Sequence, residues 1–187
     1  MKVGLAACAI LLAAPLHAHE GEPAFAGIPH VTIDYYDVSG STVPEIRASM
    51  AARGLHDSAD GSAIDAQSHV EMRWRWEGDG KGGCDLAHAA VEFSATVTMP
   101  RLIHTEAVPA PILLRWQSFV AALAVHEAGH IRYGFNRVPD IKAAIAASDC
   151  KGANDAARAV IEANNLRDAT YDQVTRHGQA QGAVFQE

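Results

Sequence analysis

The stretch HEAGH, residues 126–130, carries two histidines four residues apart with a glutamate directly after the first. On a helix that spacing turns His126 and His130 toward one point, where two neutral imidazoles can hold a zinc ion. Glu127 is rotated away from that point. It is placed to act as a general base on water rather than as a ligand. The plain alternative is a pair of satisfied core histidines, since ten histidines in 187 residues make the spacing available by chance. Two points weigh against it. An apolar stripe that runs into two histidines and a glutamate is costly to bury without a partner. Gly129 also weakens a helix unless something packs closely against it.

Two histidines do not complete a zinc site, so a third ligand has to come from elsewhere. The HExxHxxGxxH extension is absent, because Tyr133 and Asn136 occupy its glycine and histidine positions. Glu162 on a downstream helix and His104 before the HEAGH helix are candidates without an accompanying pattern. The segment YDQVTRHGQAQG, residues 171–182, is richer. His177 has the right softness and charge state for zinc. Tyr171 can serve an oxyanion, and Asp172 can accept a hydrogen bond from a ligand histidine or stand as a ligand in place of His177. Each has a bland counterpart. A histidine in a last helical turn is favoured by the helix dipole, and Asp172 with Arg176 can form a surface pair.

The elements that must position these residues are readable from periodicity. HVTIDYYDV reads as a strand. GSTVPEIRASMAARG reads as a helix capped by Thr42, with Pro44 and Glu45 in its first turn. HVEMRWRWE and LAHAAVEFSATVTM alternate with period two. Joined by the glycine-rich EGDGKGGCD, they predict an antiparallel hairpin with one wet face and with Trp74 and Trp76 in the core. ILLRWQSFVAALAVHEAGHIRYGF predicts a long helix on which Phe119, Leu123, His126 and His130 share a stripe. Pro139 redirects the chain into IKAAIAAS. A further helical stretch, in one or two segments, ends near Gly178. The strand-rich first half and helical second half make an α+β pattern in one domain, residues 19–187.

Residues 1–18 read as a signal peptide: Lys2, an apolar run too short to anchor, and a small residue, Ala18, at the cleavage point. LAAC at 5–8 is discounted as a lipoprotein box because almost no apolar segment precedes Cys8. The mature chain is then expected in the periplasm or outside the cell, without a membrane anchor. HEGEPAFAGIP, residues 19–29, is expected as a loose arm in which His19 is solvated, as is His17 just before it. Two cysteines remain, Cys84 and Cys150, and an even count in an oxidising compartment favours a disulfide. The formal net charge of −7 argues against nucleic acid as a partner.

The ordered set of YDVSGSTVPEIRASM, WRW, Cys84, Trp116, HEAGH, Cys150 and YDQVTRHGQAQG resembles a bacterial family. That family is catalogued as a domain of unknown function, and its members are taken for secreted zinc-dependent proteases. The resemblance spans most of the mature chain. It implies a zincin-like fold, Zn2+ as cofactor, His126 and His130 as ligands and Glu127 as the catalytic acid/base. It also implies a Cys84–Cys150 disulfide and His177 as the third ligand. Tyr171, Asp172 and Thr175 fall within its C-terminal motif. The expected function is a zinc metallopeptidase acting on peptide or protein substrates. Such a substrate would lie along an edge strand, by fold analogy the 87–99 segment. The competing expectations are a non-catalytic zinc-binding periplasmic module, as metal buffer or protein-binding domain, and a metal-free structural domain. Oligomeric state is not readable from the sequence.

Overall fold

In a computed structural model, residues 22–57 and 61–186 are described. The segment expected as a signal peptide, with Cys8 and His17, lies outside them, as does His19. The alternating stretches form three strands, β1 (Val31–Val38), β2 (Gln67–Arg75) and β3 (Ala90–Leu102), in the order β1-β3-β2. β2 and β3 pair antiparallel, with Val70 opposite Ala95 and Trp74 opposite Val91, which is the expected hairpin. β1 runs parallel to β3 on its other side, with Ile33 opposite Val97. Most of the 87–99 segment is therefore central strand: residues 95–98 are paired on both sides, residues 90–94 pair with β2 alone, and residues 87–89 precede the strand. Alternation alone does not reveal this, because it reports which face is buried and not which edge is free. β2 is the edge strand on the side of the cleft.

Helix α1 (Val43–Ala51) starts on the capping box that Thr42 and Glu45 supply. Three further helices follow: α2 (Ala110–Asn136), α3 (Val138–Ala146), with Pro139 in its first turn, and α4 (Ala153–Thr175). α4 is one continuous helix. α2 presents one buried face to the sheet, from Trp116 and Phe119 through Leu123, His126 and His130 to Ile131 and Gly134. The main core joins that face to Val97, Met99, Val38 and Ile46. The segment expected as a loose arm is docked from Glu22–Phe25 onward. Phe25 and Ile28 are buried in the main core, and Arg132 Nη2 donates to the Ala24 carbonyl at 3.2 Å.

A second, smaller core lies between α3, the start of α4 and the far end of the hairpin. It is built on Ile141, Ile145, Ala153, Ala157 and Leu86, with Trp74 and Trp76 half-buried against it. Trp74 Nε1 donates to Asn154 Oδ1 at 2.9 Å, which satisfies the indole at that boundary. The Cys84–Cys150 disulfide closes the same corner, with Cα atoms 5.8 Å apart. It ties the hairpin turn to the α3–α4 connection. Among the described residues, no helix is long and apolar enough to cross a membrane.

Candidate metal centre

The site forms where the last two turns of α4 lie against the middle of α2. One helical turn separates His126 from His130, so their rings share a face. They meet edge to face, with centroids 4.8 Å apart. Their Nε2 atoms are 3.3 Å apart. Asp172, from the end of α4, brings Oδ1 to 3.1 Å from His126 Nε2 and 3.0 Å from His130 Nε2. Both histidines are buried, at 3% and 8% exposure.

The far side of each ring decides what those three atoms are. His126 Nδ1 lies 2.9 Å from Gln181 Oε1, and His130 Nδ1 lies 2.9 Å from Asp168 Oδ1. Each acceptor draws the ring proton to Nδ1, so each neutral imidazole turns its Nε2 lone pair inward. Two nitrogen lone pairs and a carboxylate oxygen then converge within 3.3 Å. A metal ion or a proton between them satisfies that arrangement. A tetrahedral zinc ion with bonds of about 2.0 Å has ligand–ligand edges of about 3.3 Å, close to this triangle. His126, His130 and Asp172 are thus positioned to bind a metal ion. Two imidazoles and a carboxylate suit zinc and its neighbouring divalent ions.

A proton expresses the same demand in the metal-free protein. Burial alone would lower the His130 pKa, but the hydrogen bonds and charges of Asp168 and Asp172 outweigh it and push it up to about 10. Burial would raise Asp172, yet its hydrogen bonds with His126 and His130 hold it well below the usual carboxylate range. Glu127, only 4% exposed, is pushed up by burial, against the opposing pull of the two histidines. It sits one residue round the helix, toward the sheet, where the Ser68 side chain of β2 hydrogen-bonds to it.

The residues singled out in the C-terminal motif are all brought to this region, with a different division of labour. Asp172, expected behind a ligand histidine, stands among the metal-facing atoms. His177, expected as the third ligand, is grouped instead with Asp57 and Asp172, its Nδ1 being 3.6 Å from Asp172 Oδ1. Tyr171, expected at the oxyanion, lies flat against His126 with ring centroids 5.1 Å apart. Its hydroxyl accepts from Gln181 Nε2 at 2.9 Å and rests over the α2 backbone at Gly129. A β-carbon on Gly129 would come within 2.7 Å of Tyr171 Cζ, which is the close packing that this glycine permits. Thr175 Oγ1 donates to the Tyr171 carbonyl at 2.8 Å and lies 3.5 Å from His126 Nδ1. Gly178, at φ +81, backs onto His126, and a β-carbon there would sit 3.0 Å from its Cγ. Glu162 and His104 are exposed and do not line the cleft.

Three site residues escape a reading by motif: Asp168, Gln181 and Asp57. Asp168 had a legible signal. Asp168 and Asp172, four apart on α4, mirror His126 and His130, four apart on α2. Gln181 and Asp57 lie in non-periodic segments, where spacing says nothing about direction.

The cleft over these groups has a volume of about 470 Å³. α2 and α4 wall it on one side and the 63–68 segment leading into β2 walls it on the other. Its charged lining is mainly acidic. Arg47, the basic side chain on its rim, is paired with Asp65 at 2.7 Å.

Fold and site together define an α+β protein with a metal-ready pocket built on two facing helices. The chain belongs to a family of bacterial proteins of unknown function (DUF922), whose model matches residues 33–178. That span includes the site residues from Asp57 to His177, and Gln181 lies just beyond it. No curated protein and no solved structure gives a significant match to the chain.

Proposed function

We propose that this protein is an exported zinc-dependent metallopeptidase of zincin-like architecture in which His126, His130 and Asp172 hold the ion. The observation that carries the reading is the convergence of two imidazole nitrogens and a carboxylate oxygen at tetrahedral edge lengths, with Glu127 beside them. Three protein ligands are what catalytic zinc sites use, the remaining position being left to water or substrate. When bound, zinc supplies Lewis acidity: it polarises a carbonyl and acidifies water. Glu127 accepts the proton of the attacking water at its carboxylate and returns it to the leaving amine, while Ser68 fixes its orientation. Gln181 and Asp168 hold the two imidazoles in the tautomer that binds metal. An extended peptide chain fits the cleft along the edge of β2, where residues 67 and 68 line it. The Cys84–Cys150 disulfide supports an oxidising compartment, in keeping with export.

Glu127→Gln tests this directly. The variant is expected to retain zinc and to hydrolyse an unstructured protein such as casein at least about 100-fold more slowly. Undiminished hydrolysis by the variant, or wild-type protein without near-stoichiometric zinc, would overturn the proposal. A purely zinc-binding module would hold zinc and cleave nothing even in the wild type, so the same assay separates that reading.

A further inference from the structure

We infer that Asp57, Asp172 and His177 form a second divalent-cation site beside the first, with the Asp172 carboxylate shared between the two ions. The inference rests on the metal-binding reading of His126, His130 and Asp172. It adds a second ion to that site.

Three observations carry it. His177 Nδ1 lies 3.6 Å from Asp172 Oδ1 and 3.7 Å from Asp57 Oδ2, and the donor atoms of all three residues lie within 4.8 Å of one another. Edges of that length correspond to bonds of about 2.2 Å around a tetrahedral ion, at the long end of the range for a carboxylate ligand. The tautomer logic of the first site reappears in mirror image. His177 Nε2 lies 3.3 Å from Ser62 Oγ, so the hydroxyl can take an Nε2 proton and leave the Nδ1 lone pair facing the two carboxylates.

The backbone supplies the third. Arg176, His177 and Gly178 are consecutive left-handed residues, with φ of 52°, 50° and 81°. Two of them carry a β-carbon, and such conformations persist only where the surroundings hold them. Here the His177 N–H donates to the Asp172 carbonyl at 3.0 Å and the Gly178 N–H donates to Thr175 Oγ1 at 3.4 Å. The turn bends the chain back at the end of α4 and brings the His177 ring over Asp172. Paired ions about 3.5–4 Å apart with a shared carboxylate are an established arrangement for hydrolytic chemistry.

The test is metal content per chain, by mass spectrometry, after equilibration with excess Zn2+ and removal of unbound metal. The wild type is expected to hold two ions, and His177→Ala and Asp57→Asn one each. One ion in the wild type and one in both variants overturns the second site and leaves the first standing. One ion in the wild type and none in His177→Ala also overturns it, by making His177 a ligand of the first ion. No ion in the wild type overturns the metal-binding reading itself. Mn2+ substitution gives an independent readout that does not depend on either variant folding. An exchange-coupled spectrum is expected from wild type at two equivalents, and isolated-ion spectra alone count against the shared site.

Discussion

Tyr171 lies across Gly129 so closely that a β-carbon there would come within 2.7 Å of the Tyr171 Cζ. The contact joins α2 to α4 beside the groups that bring His126 and His130 to Asp172. Gly129→Ala is therefore expected to push α4 away despite the better helix propensity of alanine. The overpacking cost is about 1–3 kcal/mol. The check is a double-mutant cycle by urea unfolding. In a Tyr171→Ala background the Gly129→Ala change should become neutral or stabilising. Equal costs in both backgrounds would show that the cost does not arise at this contact.

Asp168 and Gln181 each hold the outer nitrogen of one ligand histidine. Replacing either with alanine leaves all three proposed ligands in place but frees a ring to rotate or change tautomer. Zinc affinity is expected to fall by about 10–100-fold in each variant. Competition against a chromophoric chelator measures this. Asp168→Asn keeps an acceptor oxygen and should recover part of the loss. An affinity unchanged in both alanine variants would remove these residues from the site.

Periodicity made the helices, the hairpin and the histidine stripe legible, because burial repeats at 3.6 or 2 residues and leaves a trace in residue type. Gly129 was legible as a place of close approach, though not as the seat of Tyr171. Three things were not. The pairing of β1 with β3 depends on which edges meet, and that buried the strand expected to greet a substrate. The docking of Phe25 and Ile28 depends on a surface made by α2. The placement of His177 beside the Asp172 carboxylate depends on the left-handed turn at 176–178, which folds the chain back at the end of α4. Motif reading names such residues together and cannot order them in space.

The disulfide lies at the opposite end of α4 from the site. From Ala153 to Asp172 the helix rises about 28 Å. Reduction, or Cys84→Ala with Cys150→Ala, is expected to cost roughly 2–5 kcal/mol of stability for a crosslink of this span. Urea unfolding with and without reductant measures it. Zinc affinity of the still-folded protein should not change, since no ligand contacts that corner. Loss of zinc before loss of secondary structure would show the two ends to be coupled.

Protonation and metal compete for the same atoms, which fixes the direction of two pH dependences. In the metal-free protein His130 is pushed up to about 10 from an ordinary 6.5, so its contribution to stability is complete below about 6.5 and is lost as pH rises toward 10. Glu127, raised by burial, acts in the same direction. Asp172 is held below its ordinary 3.8, so its contribution is present above that value and is lost as pH falls further. Metal-free protein should therefore be most stable in mildly acid solution and weaken toward pH 9. Zinc binding reverses the trend, because His130 must surrender its proton to bind. Binding near pH 7 should release about one proton from His130, and apparent affinity should climb about tenfold per pH unit. Calorimetry in buffers of different ionisation enthalpy counts the protons. An affinity that stays flat from pH 6.5 to 8.5 would mean that His130 is not a ligand.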